Sequence, residues 1–329
     1  MQTIENPPPQ SVTTASAPEH DPAHHKRQEF IGLLEGTVAV FFFALTLPMS
    51  RYAVREVDPV TTGLFRCALA GVLAALMLVW KRAPLPNRRQ MKGLAMSSVG
   101  IVYVYPILVA WAMKYTDSSH GSIVVGLLPL ATAAFAGLFG YDRPGIKFWI
   151  AAVAGSLVVV AYALYHGGGG IHLADLALIV AVVCSGAAYA EGGWLARSMG
   201  GWQVIAWVMA LNLPLTLPFL LLSMSTHGFH PSAGTWFVLI FMGIFNQFSA
   251  FFGWYKAMAN VGVARVSQLQ LLQPFMTVII AAIFLHEIIT WDTWLALALV
   301  LGTVGIARNA ARQPVSVAPR ESAQTTPRP

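Results

Sequence analysis

Charged side chains are rare inside the long apolar stretches of this sequence, and two of them carry chemistry. Arg66 lies in TTGLFRCALAG and Glu191 lies in AAYAEGGWLAR. A buried acid or base in such surroundings is costly, so each is a functional-site hypothesis. Glu191 could bind a cationic group, exchange a proton, or simply pair with Arg197. Arg66 could bind an anionic substrate or bond helix carbonyls in an architectural role.

A second group of polar side chains is uncharged and clusters in ARVSQLQLLQPFMTVIIAAIFLHE. Ser267, Gln270 and Gln273 precede Pro274, and a proline inside a helix leaves the carbonyl four residues earlier without its donor. Freed backbone and side-chain amides predict the polar wall of a cavity. The alternative is a set of hydrogen bonds between helices.

Asn246 and Gln247 form a polar pair within an otherwise aromatic segment, and Tyr105 lies in a similar one. Aromatic walls with a few polar groups are typical of small-molecule pockets. The alternative is an aromatic-rich helix that faces lipid. These residues complete the predicted substrate-binding set, together with Arg66 and Glu191.

Motifs for catalysis and metal binding are missing from the sequence. Cys67 and Cys184 both lie in apolar runs, there is no CxxC pair, and neither HExxH nor GxSxG occurs. The glycine run between His166 and His172 lacks the lysine and helix start of a phosphate loop. We therefore expect no catalytic residue, no cofactor and no metal.

The composition indicates a membrane protein. Hydrophobic residues make up 56% of the 329 and charged ones 10%, against roughly 25% charged in a soluble domain. Residues 1–29 and 309–329 are polar and are predicted to be disordered cytoplasmic tails. Between them lie ten apolar segments close to the ~20 residues that a membrane span needs: Phe30–Ser50, Pro59–Trp80, Gly93–Met113, Ser119–Gly140, Ile146–Tyr165, Leu173–Ala196, Trp202–Ser223, Gly234–Tyr255, Ala264–Leu285 and Trp291–Arg308.

The chain also repeats itself at an offset of 145 residues. Ala112–Asp142 aligns without gaps on Ala257–Glu287, with eight of 31 positions identical, including Pro129 on Pro274. Each half has an odd number of spans, so the two copies run in opposite directions. The sequence predicts an all-α integral membrane fold of ten transmembrane helices in two inverted five-helix repeats, residues 30–165 and 166–308. Both prolines are predicted to break their helices near the bilayer midplane.

Basic residues set the expected orientation. With the N-terminus in the cytoplasm, 16 of the 20 Lys and Arg fall on the cytoplasmic side and three outside, and Arg66 lies within a span. We expect both termini in the cytoplasm of a multi-pass protein of the inner or plasma membrane. The net charge of +6 is spread over short loops, so no nucleic-acid partner is expected.

Three stretches resemble the ten-helix EamA-type permeases of the drug/metabolite transporter superfamily. They are FFFALTLPMSRYA with the following DPVTTGLFRCALAG, WAMKYTDSSHGSIVVGLLPLATA, and WYKAMANVGVARVSQLQLLQPFMTVIIAAIFLHE. Arg66, Pro129, Pro274 and Glu287 fall on positions of the family pattern. The resemblance implies two antiparallel repeats that export or exchange small metabolites without ATP hydrolysis.

Together these features predict a secondary transporter of small organic metabolites, amphipathic or amino-acid-like, that is a monomer or homodimer in the lipid bilayer. A lipid or polyprenyl-phosphate flippase is the alternative, although it would need several cations in its cavity and only Arg66 qualifies. An intramembrane enzyme is the weaker alternative.

Overall fold

The computed structural model describes residues 22–141, 145–166, 172–261 and 269–311, and these form ten helices with no strand among them. Seven are long and apolar enough to cross a membrane, and three have shorter apolar portions. The predicted all-helical membrane fold is confirmed. The helices are α1 (Pro22–Ala44 and Thr46–Ala53), α2 (Pro59–Trp80), α3 (Arg88–Ser98, Val99–Val104 and Tyr105–Met113), α4 (Ser118–Val125 and Leu128–Leu138), α5 (Ile146–His166), α6 (Leu173–Met199), α7 (Gly201–His227), α8 (Ala233–Phe241, Met242–Ser249 and Ala250–Val261), α9 (Gln270–Leu285) and α10 (Trp291–Ala311).

The first and last helices extend beyond the predicted spans. Helix α1 begins at Pro22 rather than at Phe30, and α10 continues to Ala311. The predicted tails therefore overlap these helix ends, and the rest of both tails lies outside the described residues.

The packing of the helices follows the two repeats. Three pairs join equivalent helices of the two halves: α2 with α7, α4 with α9, and α5 with α10. Helix α1 contacts α8, and the equivalent pair, α6 and α3, is also in contact. Helix α1 also contacts α9, and the equivalent pair, α6 and α4, does the same. Exchanging the halves leaves this pattern of neighbours unchanged, as a pseudo-twofold axis between five-helix repeats requires.

Short, well-capped connections fix where the helices start. Asp58 accepts hydrogen bonds from the backbone N–H of Val60 (2.9 Å) and Thr61 (3.2 Å) at the start of α2. Asn87 and Gln90 form a reciprocal capping box at the start of α3. Between α6 and α7 the backbone turns at Gly200, whose φ of +87° suits glycine.

Helix irregularities occur at equivalent places in the two halves. The central parts of α3 and α8 are π-helical, at Val99–Val104 and Met242–Ser249. Helix α4 is interrupted just before Pro129, and α9 opens with a 3₁₀ turn, Gln270–Leu272, just before Pro274. Irregular backbone at membrane depth is tolerated where it faces protein or a water-filled cavity. These four irregularities therefore indicate where such a cavity lies.

Candidate functional site

A small cavity of about 20 Å³ lies between the two repeats, near the middle of the helices that surround it. Five of the residues singled out from the sequence line it, and they come from both halves of the chain: Arg66, Tyr105, Asn246, Gln247 and Gln273. Leu128, next to Pro129, also lines it. The structure thus brings together residues separated by more than 200 positions in the sequence.

The remaining wall is mostly aromatic or hydroxyl-bearing. Phe43 and Thr46 come from α1, Ser185 and Tyr189 from α6, and Phe251 from α8. The equivalent helices α1 and α6 of the two repeats thus each contribute one aromatic residue and one small hydroxyl residue to the wall. The ring of Phe251 meets those of Phe43 (4.9 Å) and Tyr189 (5.7 Å) edge to face, which fixes the shape of this wall.

The break in α1 is held open by side chains of the second repeat. Pro48 has no N–H to donate to the carbonyl of Ala44, and Thr277 Oγ1 donates to that oxygen instead, at 2.9 Å. Asn246 Nδ2 donates to the carbonyl of Phe42 (2.6 Å) and to Thr46 Oγ1 (2.7 Å). Gln273 Nε2 lies 3.5 Å from the carbonyl of Phe43. The N–H groups of two cavity amides are therefore directed at α1, so their function includes shaping the site.

The π-helical part of α3 is satisfied in a similar way. Pro106 deprives the carbonyl of Val102 of its usual donor, and the thiol of Cys67 donates to it at 3.3 Å. Gln247 Nε2 donates to the neighbouring carbonyl of Ile101 at 3.2 Å. Buried carbonyls of α3 near the cavity thus obtain hydrogen-bond donors from α2 and α8. This requirement explains why polar residues occur within the apolar sequences of these two helices.

Arg66 is the only charged residue among the described residues that line the cavity. Its side chain is buried, with 2% of the residue exposed, and Nε has no hydrogen-bond partner. Among the described residues no carboxylate forms an ion pair with it. Ser185 Oγ, which α6 contributes to the same cavity, is likewise buried without a partner. The cavity therefore contains hydrogen-bond donors that the described part of the protein leaves unused.

Glu191 lies apart from this cavity. Its Oε2 accepts a hydrogen bond from Tyr141, whose ring stacks on Trp194. Burial and the neighbouring Glu191 raise the pKa of Tyr141 to about 12, so the phenol keeps its proton at neutral pH. Successive helical residues turn by about 100°, so Glu191 points some 200° away from Tyr189, which faces the cavity. This carboxylate joins α6 to the end of α4.

Gln270 is buried but does not line the cavity, and its Nε2 has no partner. The carbonyl of Gln270, which Pro274 was expected to leave without a donor, accepts a hydrogen bond from the N–H of Gln273. The 3₁₀ turn explains the second finding, because its i to i+3 hydrogen bond supplies the carbonyl of Gln270 with a donor. Ser267 lies outside the described residues.

A second feature joins the repeats at the end of the bundle where α4 begins and α9 ends, here called the Glu287 end. Glu287 accepts hydrogen bonds from Ser118 N (2.9 Å), Ser119 N (2.9 Å) and Ser119 Oγ (2.6 Å). Arg51 Nε lies 3.4 Å from the same carboxylate, and Arg51 also pairs with Asp117. The carboxylate therefore binds the free N–H groups and positive dipole of α4. An open vestibule of about 950 Å³ lies beside it.

Comparison with known proteins identifies the family. The sequence pattern of the EamA-like transporter family matches this chain twice, at residues 30–164 and 172–308. The chain belongs to the EamA-like transporter family. This EamA-like chain is thus a multi-pass membrane transporter and not an enzyme, as predicted.

Several relatives support this assignment over nearly their whole length. The uncharacterized transporter YdeK of Bacillus subtilis is 38% identical over 281 residues, which is 85% of this chain and 98% of the relative. A probable terminal-alkyne amino-acid exporter of Streptantibioticus cattleyicolor is 26% identical over 277 residues, covering 82% and 89%. A crystal structure at 17% identity superposes with a TM-score of 0.58 over 84% of this chain and 97% of its own, which shows a similar fold.

Proposed function

We propose that this EamA-like protein is a secondary transporter of small organic metabolites that works by alternating access, with the central cavity as its binding site. The observation that carries the proposal is the position of the cavity. It lies between the two repeats, beside every helix irregularity described above, and residues from both halves line it. Inverted repeats around a site at mid-membrane are the usual architecture of alternating access.

Glu287 supports the same mechanism from the end of the bundle. It holds the first turn of α4 against the end of α9, so it joins one repeat to the other. A relative movement of the repeats must break these hydrogen bonds. The structure then corresponds to a state with this end held together.

For the orientation we propose that both termini are cytoplasmic, which makes the Glu287 end external. Reporter fusions test this directly. A fusion at Asn87, in the basic connection between α2 and α3, should report the cytoplasm, and a fusion at Gly228, between α7 and α8, should report the exterior. The physical reason is the concentration of Lys and Arg on one side. The reverse pair of signals would contradict this orientation.

The cargo is proposed to be a small amphipathic metabolite, and the direction export. The aromatic wall supports an apolar body, and the donors beside it support a polar head. One relative is named a probable amino-acid exporter, which supports both the size of the cargo and the direction. An untargeted comparison of metabolites in medium and cells, with and without the protein, should show at least one compound that moves from cells to medium.

Alternating access has its own test. In a variant with Cys67 and Cys184 replaced by alanine, a cysteine at Ser185 would be the only thiol. A membrane-impermeant maleimide should label it from both sides of the membrane in separate experiments on right-side-out and inside-out vesicles. A cysteine at exposed Leu85 serves as a control that one side alone reaches. Labelling of position 185 from one side only, under all conditions, would contradict the mechanism.

A further inference from the structure

We propose that the central cavity recognises a carboxylate, with Arg66 as the group that binds it and Ser185 as a second donor. This inference rests on the proposed transport function, because it specifies the chemistry of cargo for that same cavity. It is based on the uncompensated positive charge in the cavity wall. The wall contains one cation and no Asp or Glu among the described residues.

A buried arginine normally has its charge compensated. Removing a guanidinium from water costs several kcal/mol unless an anion and hydrogen bonds replace the lost hydration. Arg66 is 2% exposed and Nε has no partner. No described carboxylate pairs with it, although the chain contains Asp and Glu that make close ion pairs elsewhere, such as Glu287 with Arg51. The compensating anion is therefore expected from outside the chain.

The groups around Arg66 narrow the class of anion. The amide nitrogens of Asn246 and Gln247 already donate to backbone carbonyls or to a threonine hydroxyl, and Thr46 donates to the carbonyl of Phe43 at 2.7 Å. Arg66 Nε and Ser185 Oγ are the solvent-shielded side-chain atoms of the described wall that have no hydrogen-bond partner, and the phenols of Tyr105 and Tyr189 line the same wall. A guanidinium suits a planar carboxylate, which takes paired hydrogen bonds from it, and the Ser185 hydroxyl can add one more. A dianionic phosphate would require more positive charge than one arginine supplies.

The aromatic rings of the wall favour an apolar body for the ligand, which this small cavity of about 20 Å³ would admit only after the repeats move apart. Phe43, Tyr189 and Phe251 pack edge to face and give the same cavity an aromatic surface. A cationic amine would have no carboxylate partner on this wall. The ligand is thus a carboxylate with an apolar or aromatic body.

The test uses the purified full-length protein and 3-phenylpropionate as the probe, with 3-phenylpropionamide and 2-phenylethylamine as matched compounds. Binding is measured by calorimetry and by thermal stabilisation at constant chloride concentration. The acid should bind, and the amide and amine should bind at least tenfold more weakly. Equal binding of acid and amide, or a stabilisation reproduced by chloride alone, would overturn the assignment.

Variants separate a binding role from an architectural one. Arg66→Gln should weaken binding of the acid by roughly 10- to 100-fold, since hydrogen bonds to charged groups have that strength. Arg66→Lys keeps the charge and should recover part of the affinity. Ser185→Ala should weaken binding by about threefold to tenfold. Thr62→Val is the control: its hydroxyl is buried without a partner one turn from Arg66, yet it is not part of the wall, and affinity should be unchanged.

Stability without ligand completes the test. Loss of an uncompensated buried charge should leave the melting temperature of Arg66→Gln unchanged or higher. A lower melting temperature combined with unaltered probe affinity would make Arg66 architectural and overturn the proposal. If no carboxylate binds while position 185 is still labelled from both sides, the ligand assignment fails and the transport function stands. If the acid binds but labelling stays one-sided and no metabolite moves, the transport function fails instead.

Discussion

Replacing Glu287 with alanine should destabilise the protein by about 3 kcal/mol, because two backbone N–H groups of α4 and the buried side of Arg51 lose their charged acceptor together. The carboxylate is well protected, with 7% of its side chain exposed, so water replaces it poorly. The loss should appear as a lower melting temperature of the purified protein.

The same substitution should change which conformation is populated. Each 1.4 kcal/mol changes an equilibrium tenfold, so the Glu287→Ala protein should open the Glu287 end about a hundredfold more readily. Maleimide labelling of a cysteine at Ser185 from that side should rise accordingly.

Two control variants make the Glu287 prediction specific. Glu287→Gln keeps the shape and one good acceptor, so it should cost about half as much. Asp117→Asn removes the other partner of Arg51, but the Asp117 side chain is 61% exposed, and exposed pairs contribute about 0–1 kcal/mol. If Asp117→Asn lowered the melting temperature as much as Glu287→Ala, the effect would come from the loss of a partner of Arg51 and not from the hydrogen bonds between Glu287 and the first turn of α4.

The second large effect is expected at the break in α1. Thr277→Val keeps the side-chain volume and removes the hydroxyl that donates to the carbonyl of Ala44. Leaving a buried carbonyl without a donor costs roughly 1–3 kcal/mol. The reason that this carbonyl depends on Thr277 is Pro48, which lacks an N–H. Pro48→Ala should therefore supply a helical donor and make Thr277 dispensable.

A double-mutant cycle measures this dependence. Thr277→Val should cost roughly 1–3 kcal/mol with Pro48 present and less than about 0.5 kcal/mol in the Pro48→Ala protein. Thr37→Val is the control, because Thr37 donates within its own helix to the carbonyl of Leu33, which keeps its ordinary helical donor. Equal costs in both backgrounds would show that the hydroxyl stabilises the protein in some other way.

Much of the membrane fold could be predicted because hydrophobic length and the repeat are strong signals. Ten apolar segments near 20 residues, and a constant offset linking Pro129 to Pro274, specified the helices and their arrangement. Five cavity residues were also found, since a polar side chain in an apolar helix must face protein or water. Arg66 and Gln247 are of this kind.

The face of the helix on which a given side chain lies was harder to predict from the sequence. Glu191 attracted attention as an acid, but the cavity-facing residue is Tyr189, two positions earlier on the opposite face of the helix. Ser185 and Tyr189 are one turn apart, and that spacing was the available signal. Gln270 is buried but is not part of the cavity wall, whereas Gln273 is, and no local residue pattern distinguishes the two.

The bonds at the α1 break also bear on how the protein is made. Helix α1 leaves the ribosome first, whereas Asn246, Gln273 and Thr277 follow 204, 230 and 233 residues after their partner carbonyls. Within α1, Leu45 N–H donates to the carbonyl of Phe42 and Thr46 to that of Phe43. Until α9 enters the bilayer, the carbonyl of Ala44 has no such donor, and lipid cannot supply one. A chain stopped after the first repeat should therefore be a good substrate for membrane quality-control proteases, and coexpression of the second repeat as a separate polypeptide should protect it.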